Sequence, residues 1–167
     1  AAEQLLAKSQ QQKKAIMQQL LTCKKRSLGF TDKWKVVPLN KICNITKGKQ
    51  LNKNTLFDEG SYSVINGGIA PSGYSENFNT EANTITISEG GNSCGYVSFL
   101  KEPFWCGGHC YALKEVKLNK DYLYQFLKFI EPTIMRLRVG SGLPNIQKKA
   151  IESLKILMPT IAEQELI

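Results

Sequence analysis

Three cysteines and the one histidine of the chain lie in a single stretch, and their types could bind a metal or act as a nucleophile. The set is Cys94, Cys106, His109 and Cys110, and thiolates with an imidazole are preferred ligands of zinc. No CxxC pair is present, and His109 and Cys110, as neighbours on a strand, would point to opposite faces. A Cys–His nucleophilic pair is also disfavoured, because no acidic residue lies nearby in sequence to orient the imidazole. We therefore expect no metal site and no catalytic residue, with His109 as a loop contact or a partly buried structural residue.

Glycine- and asparagine-rich turns between Tyr62 and Tyr111 carry most of the other polar groups. They are INGG, PSGY, EGGNSCGY and WCGGHCY, and a later loop, SGLPN, has the same character. Such loops offer neutral donors and acceptors, and glycine lets the backbone approach a partner closely. The candidate contact residues are Asn66, Gly67, Gly68, Ser72, Gly73, Tyr74, Gly90, Gly91, Asn92, Ser93, Ser141 and Asn145. At each position the alternative is an ordinary β-turn residue without a binding role.

The charge of the chain favours a polyanionic partner. The formal net charge is +8, and residues 1–30 hold six bases and one acid. Clustered lysines attract phosphates and release their counterions. Lys47, Lys49 and Gln50 surround Gly48, and Lys148 follows the SGLPN loop, so these four side chains are candidate phosphate contacts. Solvated faces that aid solubility are the alternative interpretation.

Cysteine usage and hydropathy suggest a cytoplasmic protein. Five cysteines form an odd set without the regular spacing of a secreted disulfide scaffold, which favours a reducing compartment. No apolar run approaches the ~18 residues of a membrane span, and the first residues lack the apolar stretch of a signal peptide. We expect no contact with a membrane. The start without Met and the stop inside an apparent helix suggest a fragment of a longer protein.

Helices are predicted at both ends of the chain and within its second half. Residues 3–28 lack Gly and Pro and predict one long helix, closed by Lys24, Lys25 and Arg26 and ended by Gly29. Its single apolar side needs a partner, which an antiparallel terminal helix would supply. Asn119 should cap a helix that Pro132 interrupts, and Asn145 a short helix to about Ser153. Thr160 and Glu163 form the capping box of a final helix.

Short strands are predicted between these helices. Segments of β-branched and aromatic residues bounded by turns lie at 62–65, 84–88, 96–99, 104–106, 111–114 and 154–157. The expected fold is α/β in the α+β arrangement, with a β-rich globular domain between helical ends. We divide the chain into a helical, coiled-coil-like spacer at 1–30, a domain at 31–158 and the start of a second spacer helix at 159–167.

The ordered set of segments resembles a known family, the DNA-specificity (S) subunits of type I restriction-modification systems. WKVVPLNKICNITKGKQ, INGGIAPSGYSENFN and ITISEGGNSCGYVSF resemble the opening segment, the NGG and SGY turns and the glycine-rich loop of its target recognition domain. FWCGGHCYALK, DYLYQFLKFI and the stretch from SGLPN to the end resemble its later strands, helix and closing segment. LLAKSQQQKKAIMQQLLTCKKRSLGF resembles its helical spacer. Members usually carry two recognition domains, so this chain looks like a half subunit or a fragment.

The resemblance implies that the loops contact base edges of double-stranded DNA in the major groove. It implies a non-catalytic chain without cofactors of its own. S-adenosylmethionine, ATP and Mg would belong to modification (methyltransferase) and restriction subunits recruited through the helices, and a homodimer could supply the second domain. Two other classes stay open. The chain could be the specificity fragment of a single-chain restriction-modification enzyme, or an anti-restriction mimic that docks on the methyltransferase without binding DNA.

Overall fold

The computed structural model describes residues 2–167. Within them lie six α-helices, nine short strands and one 3-10 turn at Lys53–Thr55. The helices are α1 (Ala2–Leu21), α2 (Leu39–Ile42), α3 (Lys120–Phe129), α4 (Glu131–Met135), α5 (Lys148–Glu152) and α6 (Ile161–Leu166). The strands are β1 (Lys35–Pro38), β2 (Asn44–Lys47), β3 (Tyr62–Ile65), β4 (Tyr74–Ser75), β5 (Thr84–Ser88), β6 (Val97–Leu100), β7 (Trp105–Cys106), β8 (Cys110–Lys114) and β9 (Lys155–Met158). The predicted α+β class is confirmed.

The central sheet has the order β2-β8-β5-β6 and is antiparallel throughout. Every residue of β5 is buried, as expected for a run of isoleucine and threonine whose branched side chains pack well on a pleated surface. Ser88 pairs with Cys110, and Lys47 pairs with Tyr111. This register brings the last residues of β2 and β5 and the first residues of β8 to one end of the sheet.

Two smaller sheets flank the central one. A three-stranded sheet has the order β4-β3-β7, in which β3 and β7 are parallel. The other is the antiparallel pair of β1 and β9, with Lys35 opposite Met158. Because β1 comes early and β9 late in the chain, their pairing brings the two ends of the strand-rich region side by side.

Helix α3 covers one side of the core and agrees with the predicted helix. The Asn119 side chain caps it by accepting a hydrogen bond of 3.0 Å from the Tyr122 amide. Leu123 and Leu127, one turn apart, are fully buried. The helix stops at Phe129, and α4 begins at Glu131 with Pro132 in its first turn, where a proline is tolerated because its missing N–H would have no helical partner.

The first helix is shorter than the 3–28 predicted from composition. It ends at Leu21, because Cys23 takes a left-handed conformation (φ 59°) and the chain turns away. The Lys24 amide donates to the Gln19 carbonyl at 2.9 Å and the Cys23 amide to the Leu20 carbonyl at 3.1 Å. These two bonds form a Schellman cap, which usually employs glycine and was therefore missed at a cysteine.

The partner of α1 also differs from the expected antiparallel terminal helix. Leu21 lies in the core and Met17 packs against it, where α1 contacts α3. Leu5, Leu6 and Ile16 remain exposed on the rest of α1. No helix within residues 2–167 combines the length and the apolar character that crossing a lipid bilayer would need.

A buried carboxylate, Glu163 of α6, ties the end of the chain to the segment after α1. Its two oxygens accept bonds from Arg26 Nε at 2.9 Å and Nη2 at 2.7 Å, and Trp34 Nε1 adds a third at 2.9 Å. Half of the predicted capping box forms, because the Glu163 amide donates to Thr160 Oγ1 at 3.4 Å. The Glu163 carboxylate bonds to Arg26 and Trp34 instead of to the N-cap residue Thr160. A residue whose spacing predicts a local helix cap therefore makes a long-range contact.

A second close contact lies where β2 leaves the central sheet. The Gly48 amide donates to the Cys110 carbonyl at 2.9 Å. A Cβ atom at Gly48 would overlap the backbone carbonyl oxygens of Cys106 and Gly107. The turn between β7 and β8 can therefore sit on β2 only because residue 48 has no side chain.

Glu163→Gln tests the buried carboxylate. We expect the free energy of unfolding near pH 7 to fall by at least about 1.5 kcal/mol, the low end for a hydrogen bond to a charged group. The Arg26 hydrogen bond lowers the pKa of Glu163 in the folded chain. Its stabilisation is therefore complete above the ordinary carboxyl pKa of about 4.3 and is lost as the pH falls through the lower folded value. Thermal unfolding from pH 7 to pH 3 should show the gap between wild type and variant closing. The exposed Glu165→Gln is the control, and an equal loss there would contradict the assignment.

Gly48→Ala tests the close approach of β2 and the β7–β8 turn. Overpacking a site of this kind costs about 1–3 kcal/mol of unfolding free energy, which chemical denaturation can measure. The matched variant Gly142→Ala has nothing within 4 Å of the added methyl group and should change the free energy by less than about 0.5 kcal/mol. Equal effects of the two variants would refute the steric explanation.

Candidate nucleic-acid interface

The register of the central sheet delivers three polar side chains to one end. Lys47 is the last residue of β2, and Glu89 and His109 follow and precede the paired residues Ser88 and Cys110. The ladder continues one step beyond the strands, because the Glu89 amide donates to the His109 carbonyl at 2.9 Å. Residues that are far apart in sequence thus become neighbours at this end.

A cleft of about 490 Å³ opens at this end of the sheet. Six of the residues selected from the sequence line it: Lys47, Asn66, Gly90, Gly91, His109 and Asn145. The other lining residues are Glu89, Leu143 and Pro144. The turns INGG, EGGN, CGGH and SGLPN, dispersed over 80 residues of sequence, therefore contribute to one surface.

Glu89 is the electrostatic centre of the cleft and was missed in the sequence. Its Oε1 lies 2.6 Å from Lys47 Nζ and accepts a hydrogen bond of 3.1 Å from the Tyr111 hydroxyl. Its Oε2 lies 3.5 Å from His109 Nδ1. No acid lies near His109 in sequence, but the sheet brings Glu89 across from it. The signal available in the sequence was an acid placed directly after a strand that is β-branched except for its last residue, Ser88, and before two glycines.

Tyr111 holds the Glu89 carboxylate in place through a hydrogen bond. Its hydroxyl is shared between Glu89 and the Ile146 carbonyl, at 3.1 Å each. Burial, together with the adjacent Glu89 charge, raises the pKa of Tyr111 well above its ordinary value. The phenol therefore stays protonated and remains a hydrogen-bond donor to Glu89 throughout the physiological range.

Asn66 holds the turn that carries His109. Its Oδ1 accepts a hydrogen bond of 3.1 Å from the His109 amide. Gly67, at φ 86°, is buried, and a Cβ there would lie 2.5 Å from the His109 carbonyl oxygen. The Ser88 hydroxyl donates to the Gly67 carbonyl at 2.6 Å. The absence of a side chain at Gly67 thus lets the two turns lie close together, whereas its neighbour Gly68 is partly exposed.

The opposite wall is the loop that ends at Asn145. The Gly91 amide donates to the Pro144 carbonyl at 3.1 Å, and the Asn145 amide donates to the Val139 carbonyl at 3.0 Å. Asn145 does not cap a helix as predicted, because it pairs in bridges with Gly90 and Val139, and α5 begins only at Lys148.

Other predicted contacts surround the cleft on exposed loops. Lys49 and Gln50 follow Lys47 closely in sequence. Lys47 is the last residue of β2, whereas the first strand predicted from the sequence was 62–65. The Lys49 carbonyl accepts a hydrogen bond of 2.7 Å from Trp105 Nε1, and Lys49 is exposed. Asn92, Ser93 and Ser141 are exposed or partly exposed loop positions. Lys148 is the exposed first residue of α5, and its Nζ lies 3.5 Å from Glu152 Oε1.

The SGY turn lies apart from these residues, on the three-stranded sheet. The Ser72 amide donates to Val64 and the Tyr74 amide to Phe57, at 2.8 and 2.9 Å. Gly73, at φ 148°, allows the chain to pass beside Leu56. Ser72, Gly73 and Tyr74 do not line the cleft, and their part in binding stays a prediction.

The three cysteines and His109 differ in how far they are buried. Cys94, Cys106 and Cys110 are at most 2% exposed, whereas the His109 side chain is 63% exposed. Within residues 2–167, no three His, Cys, Asp or Glu side chains are grouped as a metal ion would need. Cys94 Sγ instead donates to the Glu89 carbonyl at 3.0 Å, which adds to the support of that residue.

Curated relatives of the chain share one description. It is 34% identical over 147 residues to a Mycoplasma pneumoniae protein provisionally named a type I specificity subunit, covering 86% of this chain and 39% of that protein. A similarly named Mycoplasma genitalium protein is 33% identical over 126 residues, covering 74% of this chain and 33% of that protein. The chain thus spans about two-fifths or less of the length of these relatives.

Solved structures agree with this result. The S subunit of a type I restriction-modification system from M. genitalium superposes with a TM-score of 0.77 at 30% identity, covering 84% of this chain and 38% of that one. The HsdS subunit from Thermoanaerobacter tengcongensis gives a TM-score of 0.70 over 99% of this chain and 44% of that one, and at 20% identity this likeness concerns the fold alone. A family model described as the type I restriction modification DNA specificity domain matches residues 31–167. The protein therefore belongs to the family of type I restriction-modification DNA specificity domains, as its turns and their order had indicated.

Proposed function

We propose that this chain is the DNA-recognition half of a type I specificity subunit and that the loops around the cleft contact base edges in the major groove. The observation that carries the proposal is the convergence of five polar or glycine residues from four separate turns, together with Lys47 of β2, at one end of the sheet. Major-groove edges present a distinct pattern of donors and acceptors for each base pair. A surface of fixed neutral groups with few charges suits that pattern.

Affinity and specificity would come from different residues. Lys47, Lys49, Gln50 and Lys148 would contact phosphates, which position the protein without reporting sequence. Asn66, His109 and Asn145 surround the cleft and would face bases, while Gly90 and Gly91 allow close approach. Each mismatched base pair would then cost on the order of 1–3 kcal/mol of binding free energy.

The proposal assigns the remaining parts of the chain to assembly. Residues 1–30 are a spacer with coiled-coil character, 31–158 the recognition domain and 159–167 the start of a second spacer helix. Leu5, Leu6 and Ile16 on α1 are exposed and would pack against a modification subunit, or against a second copy that supplies the other half-site. The chain itself is non-catalytic, and S-adenosylmethionine, ATP and Mg belong to the modification and restriction subunits. It would act beside the DNA that it inspects, in the cytoplasm.

Selection from a randomised duplex pool tests the proposal. The full chain, alone and mixed with its modification subunit, should enrich one short sequence, which sequencing of the bound fraction identifies. Binding to the modification subunit without any enrichment at low salt would instead favour a docking mimic. Methylation or cleavage of DNA by the purified chain alone would favour a fragment of a single-chain enzyme.

Lys49→Met tests the division between phosphate and base contacts. We expect weaker binding to every duplex and a slope of log affinity against log salt that is shallower by about 0.9, the value for one phosphate contact. Gel shifts at several salt concentrations measure the slope. Lys155→Met removes the same charge from β9, outside the central sheet, and should leave the slope unchanged. A changed sequence preference in Lys49→Met would contradict the phosphate role.

A further inference from the structure

We propose that Glu89 specifies a base with an exocyclic amino group, cytosine N4 or adenine N6, at one position of the recognised half-site. This inference rests on the proposed function, because it requires that the cleft face the major groove. It adds the chemical class of the base and the residue that selects it. The two oxygens of the Glu89 carboxylate have different surroundings.

The Oε1 atom of Glu89 is fully engaged within the protein. It receives the Lys47 ammonium at 2.6 Å and the Tyr111 hydroxyl at 3.1 Å. A carboxylate oxygen accepts about two such bonds, so little capacity remains for a ligand. These donors also compensate the carboxylate charge, which lowers the cost of keeping it ionised at a side-chain exposure of only 13%.

The Oε2 atom is open to the cleft. Among residues 2–167 it accepts no hydrogen bond, and its closest cation is His109 Nδ1 at 3.5 Å. No buried side-chain oxygen or nitrogen in this part of the chain lacks a hydrogen-bond partner, so Oε2 must be accessible to solvent. Because Glu89 lines the cleft, the oxygen presents unused acceptor capacity to whatever enters.

The position of this acceptor is fixed by the backbone together with the bonds to Oε1. The Glu89 amide is bonded to the His109 carbonyl at 2.9 Å, and the Glu89 carbonyl receives the Ile146 amide at 2.8 Å. The Lys47 ammonium and the Tyr111 hydroxyl hold the carboxylate itself through Oε1. An acceptor held in this way discriminates well, since turning it aside from an unsuitable partner would break those side-chain bonds.

The chemistry of the major groove restricts what Oε2 can accept. The donors there are the amino groups of cytosine and adenine, whereas guanine O6 and N7 and thymine O4 are acceptors. An ionised carboxylate opposite guanine O6 or thymine O4 would be desolvated and repelled, which rejects those bases as well as favouring the others. Phosphates are excluded for the same reason. Lys47 keeps its 2.6 Å pair with the other oxygen and has further N–H groups left for a phosphate.

The test uses duplexes that lack single amino groups. Once selection has identified the half-site, each cytosine is replaced in turn by 2-pyrimidinone and each adenine by purine, and dissociation constants are measured for the full chain, Glu89→Gln and Glu81→Gln. Glu81 is an exposed acid before the start of β5, at the end of that strand remote from the cleft. At one position, we expect loss of the amino group to weaken wild-type and Glu81→Gln binding about tenfold. Glu89→Gln should bind the natural duplex about tenfold more weakly, with no comparable further loss on the analogue.

Several outcomes decide the matter. Uniform weakening of all duplexes by Glu89→Gln, or an analogue effect that is as large in Glu89→Gln as in wild type, would overturn the inference while leaving DNA recognition intact. Failure of selection to enrich any sequence would overturn both. Circular dichroism checks that the variants fold. Glu89→Asp, which keeps the charge but withdraws it by one methylene, replaces Glu89→Gln in the same cycle if the glutamine variant unfolds.

Discussion

The antiparallel register of the central sheet is the constraint on which the cleft depends. The pairing of Ser88 with Cys110 sets Glu89 beside His109. The pairing of Lys47 with Tyr111 sets these two side chains beside the Glu89 carboxylate. A slip of one residue would turn alternate side chains to the other face and would remove Glu89 from Lys47. The burial of all five residues of β5 opposes such a slip, because isoleucines would then be exchanged with their neighbours. The core thus determines where the polar groups lie.

Rigidity distinguishes these turns from ordinary surface loops. Asn66, Ser88 and Tyr111 each use a side-chain oxygen to hold a neighbouring segment. A group already fixed in place loses little conformational entropy when it meets a partner. Specificity benefits further, because a wrong partner leaves a buried polar group unpaired, which costs about 1–3 kcal/mol. Few charges are needed when the neutral groups are positioned in advance.

The sequence predicted best what local patterns determine. The strand at Thr84–Ser88, the helix capped by Asn119 and the start of α6 at Thr160 follow from branched residues or capping side chains within a few positions. Four of the turns selected from the sequence line the cleft, whereas the SGY turn lies apart from it, because glycine and asparagine mark tight turns without showing which of them meet in space. Failures occurred where a distant residue decides. Asn145 pairs across a loop with Gly90 instead of capping a helix, and β2, with a single fully buried residue, is a strand only because β8 lies beside it.

Two residues owe their importance to long-range contacts that the sequence does not show. Glu89 stands among turn residues that look alike, and its importance comes from Lys47 and Tyr111, which only the folded sheet brings near. Glu163 fits a capping box, yet its carboxylate bonds to Arg26 and Trp34, more than a hundred residues earlier. The pairing of β1 with β9 joins the same two regions. The polypeptide therefore enters and leaves the strand-rich body at one place, so that a change of length in an exposed loop between these two points need not move the ends of the chain relative to each other.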